Sequence, residues 1–204
     1  MKAKKKDIRA LSREEIRDFF QNTGDKAFRG NQVYEWLWSK GAHHFDDMTN
    51  ISKETRELLS EHFVINHIEV DSIQKSKDGT IKNAVKLFDG LIVESVLIPT
   101  PSRTTACVST QVGCSLDCKF CATARLKKMR NLNPDEIYDQ VKAIDQESKL
   151  YHSRPLSNIV FMGMGEPLMN YNNVLKSIDK ITSKEGLGMS PKRITVSTSG
   201  VPKM

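Results

Sequence analysis

The chain has 204 residues, of which 38% are apolar and 27% charged, with a formal net charge of +6. These proportions exclude a disordered or fibrous polymer, and no apolar run nears the ~20 residues a membrane helix needs. The basic balance suits a polyanionic partner, nucleic acid first. The Lys-rich residues 1–7 lead into no apolar signal segment, so the expected location is the cytoplasm, with no membrane partner.

Residues 11–65 read as helical. Ser12 followed by Glu15 is a capping box, and Ile16, Phe19 and Phe20 give the helix that follows an apolar face. Phe28, Val33, Trp36 and Leu37 predict a second helix closed by Gly41. Ser52 and Thr55, ahead of Leu58, Leu59 and Phe63, predict a third. From Ile68 the pattern turns to strands separated by the turn signals Lys77-Asp78-Gly79-Thr80 and Asp89-Gly90, a β-meander ending at Pro99 and Pro101. Thr104 to Ser109 is a further strand. Asn133-Pro134-Asp135-Glu136 starts a helix with an Asn cap, Pro at the first position and acids in the first turn. Residues 158–162 form a strand, a helix through Val174, Leu175, Ile178 and Ile181 follows, and residues 193–197 form the next strand. The alternation is βαβαβ, an α/β class with a parallel sheet. The expected division is a helical domain over 1–66, a meander over 67–99 and an α/β core over 100–204.

All four cysteines fall between Cys107 and Cys121. Such clustering favours metal binding or catalysis over a disulfide framework. Cys114, Cys118 and Cys121 have the spacing of a loop that wraps an iron–sulfur cluster. Three thiolates on a four-iron cluster leave one iron open, where S-adenosylmethionine binds and is cleaved to a radical; Phe120, between two ligands, is expected to shield the cluster. Structural zinc is the competing reading, but it wants four ligands, and Cys107, on a strand, would have to be the fourth. Ligands in parallel α/β folds gather at the carboxyl ends of the strands. Gly163-Met164-Gly165-Glu166-Pro167 and Ser197-Thr198-Ser199-Gly200 occupy two such ends. Gly165 would let the backbone approach a cofactor, Glu166 would accept from its ammonium group, and Ser197 and Ser199 would offer hydroxyls and amides.

The stretch from Arg103 to Cys121, with Phe28-Arg29-Gly30-Asn31-Gln32-Val33, Val93-Glu94-Ser95-Val96 and the two strand ends above, closely resembles the RlmN-type dual-specificity RNA adenine methyltransferases of the radical SAM superfamily. The resemblance runs from about residue 8 to the end. It implies the N-terminal half of a partial (βα)6, TIM-like barrel, preceded by a small helical accessory domain and the meander. It also implies a [4Fe-4S] cluster, S-adenosyl-L-methionine, and an electron donor such as flavodoxin. The implied reaction methylates carbon 2 of an adenine in the peptidyl-transferase region of 23S rRNA and of an adenine beside the anticodon in tRNA. That carbon is not nucleophilic, which is why a radical route is needed. In the family a methylated cysteine near the C-terminus gives up a hydrogen atom and joins the base, and a second cysteine resolves the crosslink by forming a disulfide. Cys107 matches the resolving cysteine, and Glu94 matches the glutamate assigned as proton acceptor, with burial expected to raise its pKa. No cysteine follows Cys121. The expectation is therefore a fragment that does not methylate RNA alone, of a protein that is monomeric at full length. A carbon-8 adenine methyltransferase of the resistance type and a non-catalytic iron–sulfur or zinc RNA module are the alternatives. Arg125, Lys127, Lys128 and Arg130, with Arg103 and the basic start (Lys2, Lys4, Lys5, Lys6 and Arg9), are the expected phosphate contacts.

Overall fold

The computed structural model describes residues 5–200; Lys2 and Lys4 of the basic start, and residues 201–204, lie outside the described residues. Two compact units are present. One comprises the residues up to Asn66 together with Lys184–Leu187, the other His67–Ser183 and the residues from Gly188 onward.

The first unit runs β1 (Lys6–Asp7), α1 (Arg13–Asn22), α2 (Phe28–Glu35), α3 (Lys53–His62) and β2 (Phe63–Val64). The capping box forms: the Glu15 amide donates to Ser12 Oγ at 3.1 Å and the Ser12 amide to Glu15 Oε2 at 2.6 Å. Ser52 caps α3 by accepting from the Thr55 amide at 3.3 Å. The second helix differs from the expectation. At Trp36 it widens into a π turn, Trp36–Lys40, closed by Gly41 at φ +73°. The buried residues there are Val33, Tyr34, Leu37 and Trp38, whereas Phe28 is exposed. Trp36 instead donates its indole N–H to Asn50 Oδ1 at 2.5 Å. β1 and β2 pair in parallel, two residues each. A pair so short leaves no periodic signal in the sequence.

The second unit is built on one six-stranded sheet. Its strands are β3 (Glu69–Lys75), β4 (Ile81–Lys86), β5 (Ile92–Pro99), β6 (Thr104–Cys107), β9 (Asn158–Phe161) and β10 (Ile194–Val196), in the order β10-β9-β6-β5-β4-β3. A separate hairpin of β7 (Gln111–Val112) and β8 (Arg130–Asn131) stands between β6 and helix α4 (Pro134–His152), and α5 (Tyr171–Thr182) joins β9 to β10. The meander strands are antiparallel, and β6, β9 and β10 are parallel. Antiparallel pairing of β5 with β6, from Val96 opposite Cys107 to Pro99 opposite Thr104, carries the sheet past Pro99 and Pro101 without a break.

The alternation on β5 shows which face is which. Val93, Ser95 and Leu97 are buried, while Ile92, Glu94 and Ile98 are exposed. α4 packs on the buried face against β5 and β6. Its buried Ile137, Tyr138, Val141 and Ile144 stripe meets the Val93–Leu97 side chains, and each such apolar burial contributes about 1.5–3 kcal/mol. The opposite face stays open. An all-parallel open sheet would be covered on both faces, so helices on one side only is the arrangement of a barrel wall whose inner surface is the open one.

Candidate cluster and cofactor site

The cysteine motif lies on the irregular stretch between β7 and β8, outside any long helix or strand. All four thiols are free and half-buried. The Leu116 amide donates to Cys114 Sγ at 3.4 Å, and the Cys121 amide to the Cys118 carbonyl at 3.0 Å. Among the described residues no three His, Cys, Asp or Glu side chains stand together as a metal site, so the three thiols are not gathered. The donor chemistry nevertheless fits an iron–sulfur group: three accessible thiols within eight residues on a loop free to wrap it, with an N–H already aimed at one sulfur. Phe120, expected as a shield, is 95% exposed.

The ends of this loop are held rigidly. Val112 accepts from the Met129 amide at 2.8 Å, and Thr110 from the Leu132 amide at 3.0 Å. Gly113 has φ +72°, and a Cβ there would lie 2.3 Å from the Lys127 carbonyl oxygen, so the strands of the neck approach as only glycine permits. Arg130 corrects the expectation for phosphate contacts. Its guanidinium grips Glu136 with two bonds of 2.7 and 2.8 Å and Asp89 with one of 2.6 Å, and stacks over Phe88. Hydrogen bonding to Glu136 holds its pKa above the ordinary value. This arginine ties the neck to α4 and is not available to an RNA. Arg125 and Lys127 are exposed.

The Gly163–Glu166 turn faces the neck. The Met164 carbonyl accepts from the Thr110 and Gln111 amides at 2.8 and 3.2 Å. A Cβ on Gly165 would lie 2.5 Å from that of Gln111, which accounts for glycine at that position. Glu166 is 5% exposed. Its carboxylate accepts from the Leu168 amide at 3.0 Å, Thr198 Oγ1 at 2.6 Å, the Ser199 amide at 2.9 Å and Ser199 Oγ at 3.0 Å. Burial opposes ionisation, but these four bonds outweigh it and hold the carboxyl below its ordinary range. A carboxylate has about four acceptor positions, so an incoming ammonium must displace one of the two hydroxyls. Ser197 and Ser199 are exposed on the same strand end.

Glu94 lies elsewhere. It sits on the open face of β5, 52% exposed, with Lys82 Nζ at 3.0 Å. The burial expected of it is absent, because β5 turns its odd-numbered residues to the core. Cys107 is also on this open face, in register with Val96 on one side and Val160 on the other. Burial pushes its thiol above the ordinary range, with the Met162 backbone opposing.

The side chains that fix this geometry were not singled out in the sequence. Ser109 Oγ donates to the Glu94 carbonyl at 2.5 Å and accepts from the Met164 amide at 2.8 Å, and Gln140 brackets the Ser109 backbone at 2.9 and 3.2 Å. Gln111, Asn131 and Asn170 do the same for the neck. Their only signal is that uncharged amides flank the motif and follow the Glu-Pro turn.

Comparison with known proteins sets this geometry in a family. Residues 6–65 match the ribosomal RNA large subunit methyltransferase N-terminal domain, and residues 108–203 match the radical SAM superfamily. Over its whole length the chain is similar to RlmN-type radical SAM proteins. It is 79% identical over 204 residues to a probable dual-specificity RNA methyltransferase RlmN of Flavobacterium psychrophilum and 76% identical to that of Flavobacterium johnsoniae. All of the chain is covered in each case, and 59% and 58% of the relative. The chain thus spans a little over half the length of the curated relatives it matches. The crystal structure of a radical SAM methyltransferase from Sphaerobacter thermophilus matches with a TM-score of 0.83 at 35% identity, over 96% of this chain and 57% of that one. The fold is that of the partial radical SAM barrel. RlmN-type proteins take S-adenosylmethionine and a [4Fe-4S] cluster, and the Cys114, Cys118, Cys121 spacing fits that motif. Among the described residues no helix is long and apolar enough to cross a membrane.

Proposed function

We propose that this chain supplies the cluster-binding and cofactor-facing part of a radical S-adenosylmethionine methyltransferase acting on carbon 2 of adenine in 23S rRNA and in tRNA beside the anticodon. The observation that carries the reading is the three-cysteine loop mounted on the β7–β8 neck, whose Thr110 and Gln111 are hydrogen-bonded to the Gly163–Glu166 turn. Cys114, Cys118 and Cys121 would hold the cluster. Gly165, Glu166, Ser197 and Ser199 would hold the amino-acid end and ribose of S-adenosylmethionine. Bound together, the two groups would supply one-electron radical chemistry that the protein side chains lack.

The chain's own part is to bind and orient. Glu166, kept ionised by its four bonds, is charged to receive an ammonium once a hydroxyl gives way. Cys107 is supported as the resolving thiol by its place on the open face rather than in the core. Glu94 is supported as a proton acceptor only by its position on that face, two residues from Val96, Cys107's register neighbour. The disulfide that Cys107 would form, a flavodoxin-like electron donor, a monomeric state and a cytoplasmic location belong to the same reading. In the first unit a groove of about 540 Å³ carries Lys5, Lys53 and Arg56, but Asp46 and Glu57 line it too and pair with Arg56 and Lys53, so it is a second candidate RNA surface only where phosphates displace those carboxylates.

The test is anaerobic reconstitution with iron and sulfide, followed by absorbance and electron paramagnetic resonance. A [4Fe-4S] signal that S-adenosylmethionine perturbs is expected; a colourless zinc protein refutes the reading. Product analysis by mass spectrometry and NMR on the full-length polypeptide then separates carbon-2 from carbon-8 methyladenine.

A further inference from the structure

The neck of the cysteine loop and the Glu166 turn are joined by side-chain amides as well as by backbone bonds. Gln111, fully buried, accepts the Glu166 amide on Oε1 at 3.0 Å. Its Nε2 donates to Asn131 Oδ1 at 2.8 Å, and Asn131 Nδ2 donates to the Met169 carbonyl at 3.2 Å. The path leaves the 166–170 turn at an N–H, crosses both strands of the neck, and returns to the same turn at a carbonyl. Its direction is fixed, because the first amide must accept and the last must donate; neither can be flipped without setting two like groups face to face. Asn170, also buried, closes the arrangement: its Nδ2 donates at 2.8 Å to the carbonyls of both Thr110 and Leu132, the residues bounding the neck.

Buried primary amides are costly to hold in place unless every group is paired. β7 and β8 already pair with each other, so the extra amides are not needed to make the hairpin. What they add is a fixed offset between the loop bearing the three thiols and the turn bearing Glu166. We propose that Gln111, Asn131 and Asn170 are positioning residues that lock the cysteine loop to the Glu166 turn and so set the spacing between cluster and cofactor. The proposal rests on the function above for what the two elements bind, but the lock itself is a property of the chain.

Gln111→Glu tests it with almost no change in shape. The carboxylate still accepts from the Glu166 amide but can no longer donate to Asn131. Asn131→Leu cuts the same path one step later. In the full-length polypeptide without cluster, hydrogen–deuterium exchange at the Met129 and Leu132 amides should quicken by ~10-fold or more, the effect of one unpaired buried group, while exchange in β5 and α4 stays unchanged. After reconstitution, iron content should equal that of the unsubstituted protein. The S-adenosylmethionine concentration giving half the change in the cluster's resonance signal should rise by ~10-fold, a displacement that simple loss of stability would not produce at constant iron. Unchanged exchange at the neck together with an unchanged half-effect concentration in both variants overturns the proposal. If the unsubstituted protein forms no cluster, the proposed function falls and the exchange measurement still decides whether the lock exists. Should one variant lose protection throughout, the other gives the answer.

Discussion

Two residues of the site are held on opposite sides of their ordinary titration ranges, and each gives a measurable consequence. Burial keeps the Cys107 thiol protonated well above neutral pH, so its reaction with iodoacetamide should trail that of Cys118 and Cys121 in cluster-free protein at pH 8. Mass spectrometry of the labelled peptides reads this directly, and equal rates would show that burial does not slow Cys107. Glu166 runs the other way. With its folded pKa below the ordinary 4.5, the ionised form binds four donors that no unfolded chain supplies. The linked stability is therefore present above about pH 4.5 and lost as pH falls through the lower, folded value. Glu166→Gln sets an NH₂ against two of those donors and should cost about 1–3 kcal/mol at pH 7. The same variant should show a shallower loss of stability between pH 5 and 3, both read from urea midpoints. Glu94 is the contrasting residue. Its identity suggested a base, but only the pleat decides whether a strand residue faces core or solvent, and β5 puts it in solvent beside Lys82.

At the scale of elements, what the sequence disclosed depended on how local the cause was. The Ser12 cap of α1, the Asn133-Pro134 start of α4 and the turns at Asp78-Gly79 and Asp89-Gly90 are written in adjacent residues, and all form as expected. The π turn at Trp36–Lys40 buries Leu37 and Trp38, whereas the 3.6-residue period picks out Phe28, Val33, Trp36 and Leu37. The joining of meander and βαβ strands into one sheet depends on β5 meeting β6, a pairing that leaves no trace in either strand alone. The cysteine spacing was legible because three ligands to one cluster must be close in sequence. The amides that brace the loop were not, because Gln111 meets Glu166 across 55 residues and Asn170 meets Thr110 across 60, in contacts that composition cannot encode. Face assignment on β5 yields a paired test. Leu97→Ala, fully buried beneath α4, should cost about 2–5 kcal/mol. Ile98→Ala, one residue on and facing out, should cost less than about 1 kcal/mol by the same urea titration. Comparable losses would mean that the outer face is covered. Arg130→Ala should likewise cost about 3–5 kcal/mol, because it strands the buried Glu136 carboxylate.

At the scale of the whole molecule, the net charge of +6 is not evenly available for binding. Many of the cations are spent internally: Arg130 on Glu136 and Asp89, Lys82 on Glu94, Lys149 on Asp145, Arg154 on the carbonyls of Thr100 and Pro101. Arg125 and Lys127 stand exposed beside the cysteine loop, with Lys128 half-buried between them and the neck. If these side chains contact phosphates, each contact releases condensed counterions, and binding weakens with salt by a slope of about 0.7–0.9 per contact. Arg125→Glu with Lys128→Glu, in the full-length polypeptide, should therefore lower affinity for an rRNA hairpin and flatten its salt dependence by about 1.4–1.8 in the logarithmic slope, with iron content unchanged. Filter binding from 50 to 200 mM salt gives both numbers. An unchanged slope would move the RNA contact away from the loop, with the Lys5, Lys53 and Arg56 groove of the first unit next to be tested. Arg130→Lys is the control that separates charge from architecture. It keeps the cation but loses the fork that grips Glu136, so it should reduce stability while leaving the salt slope where it was.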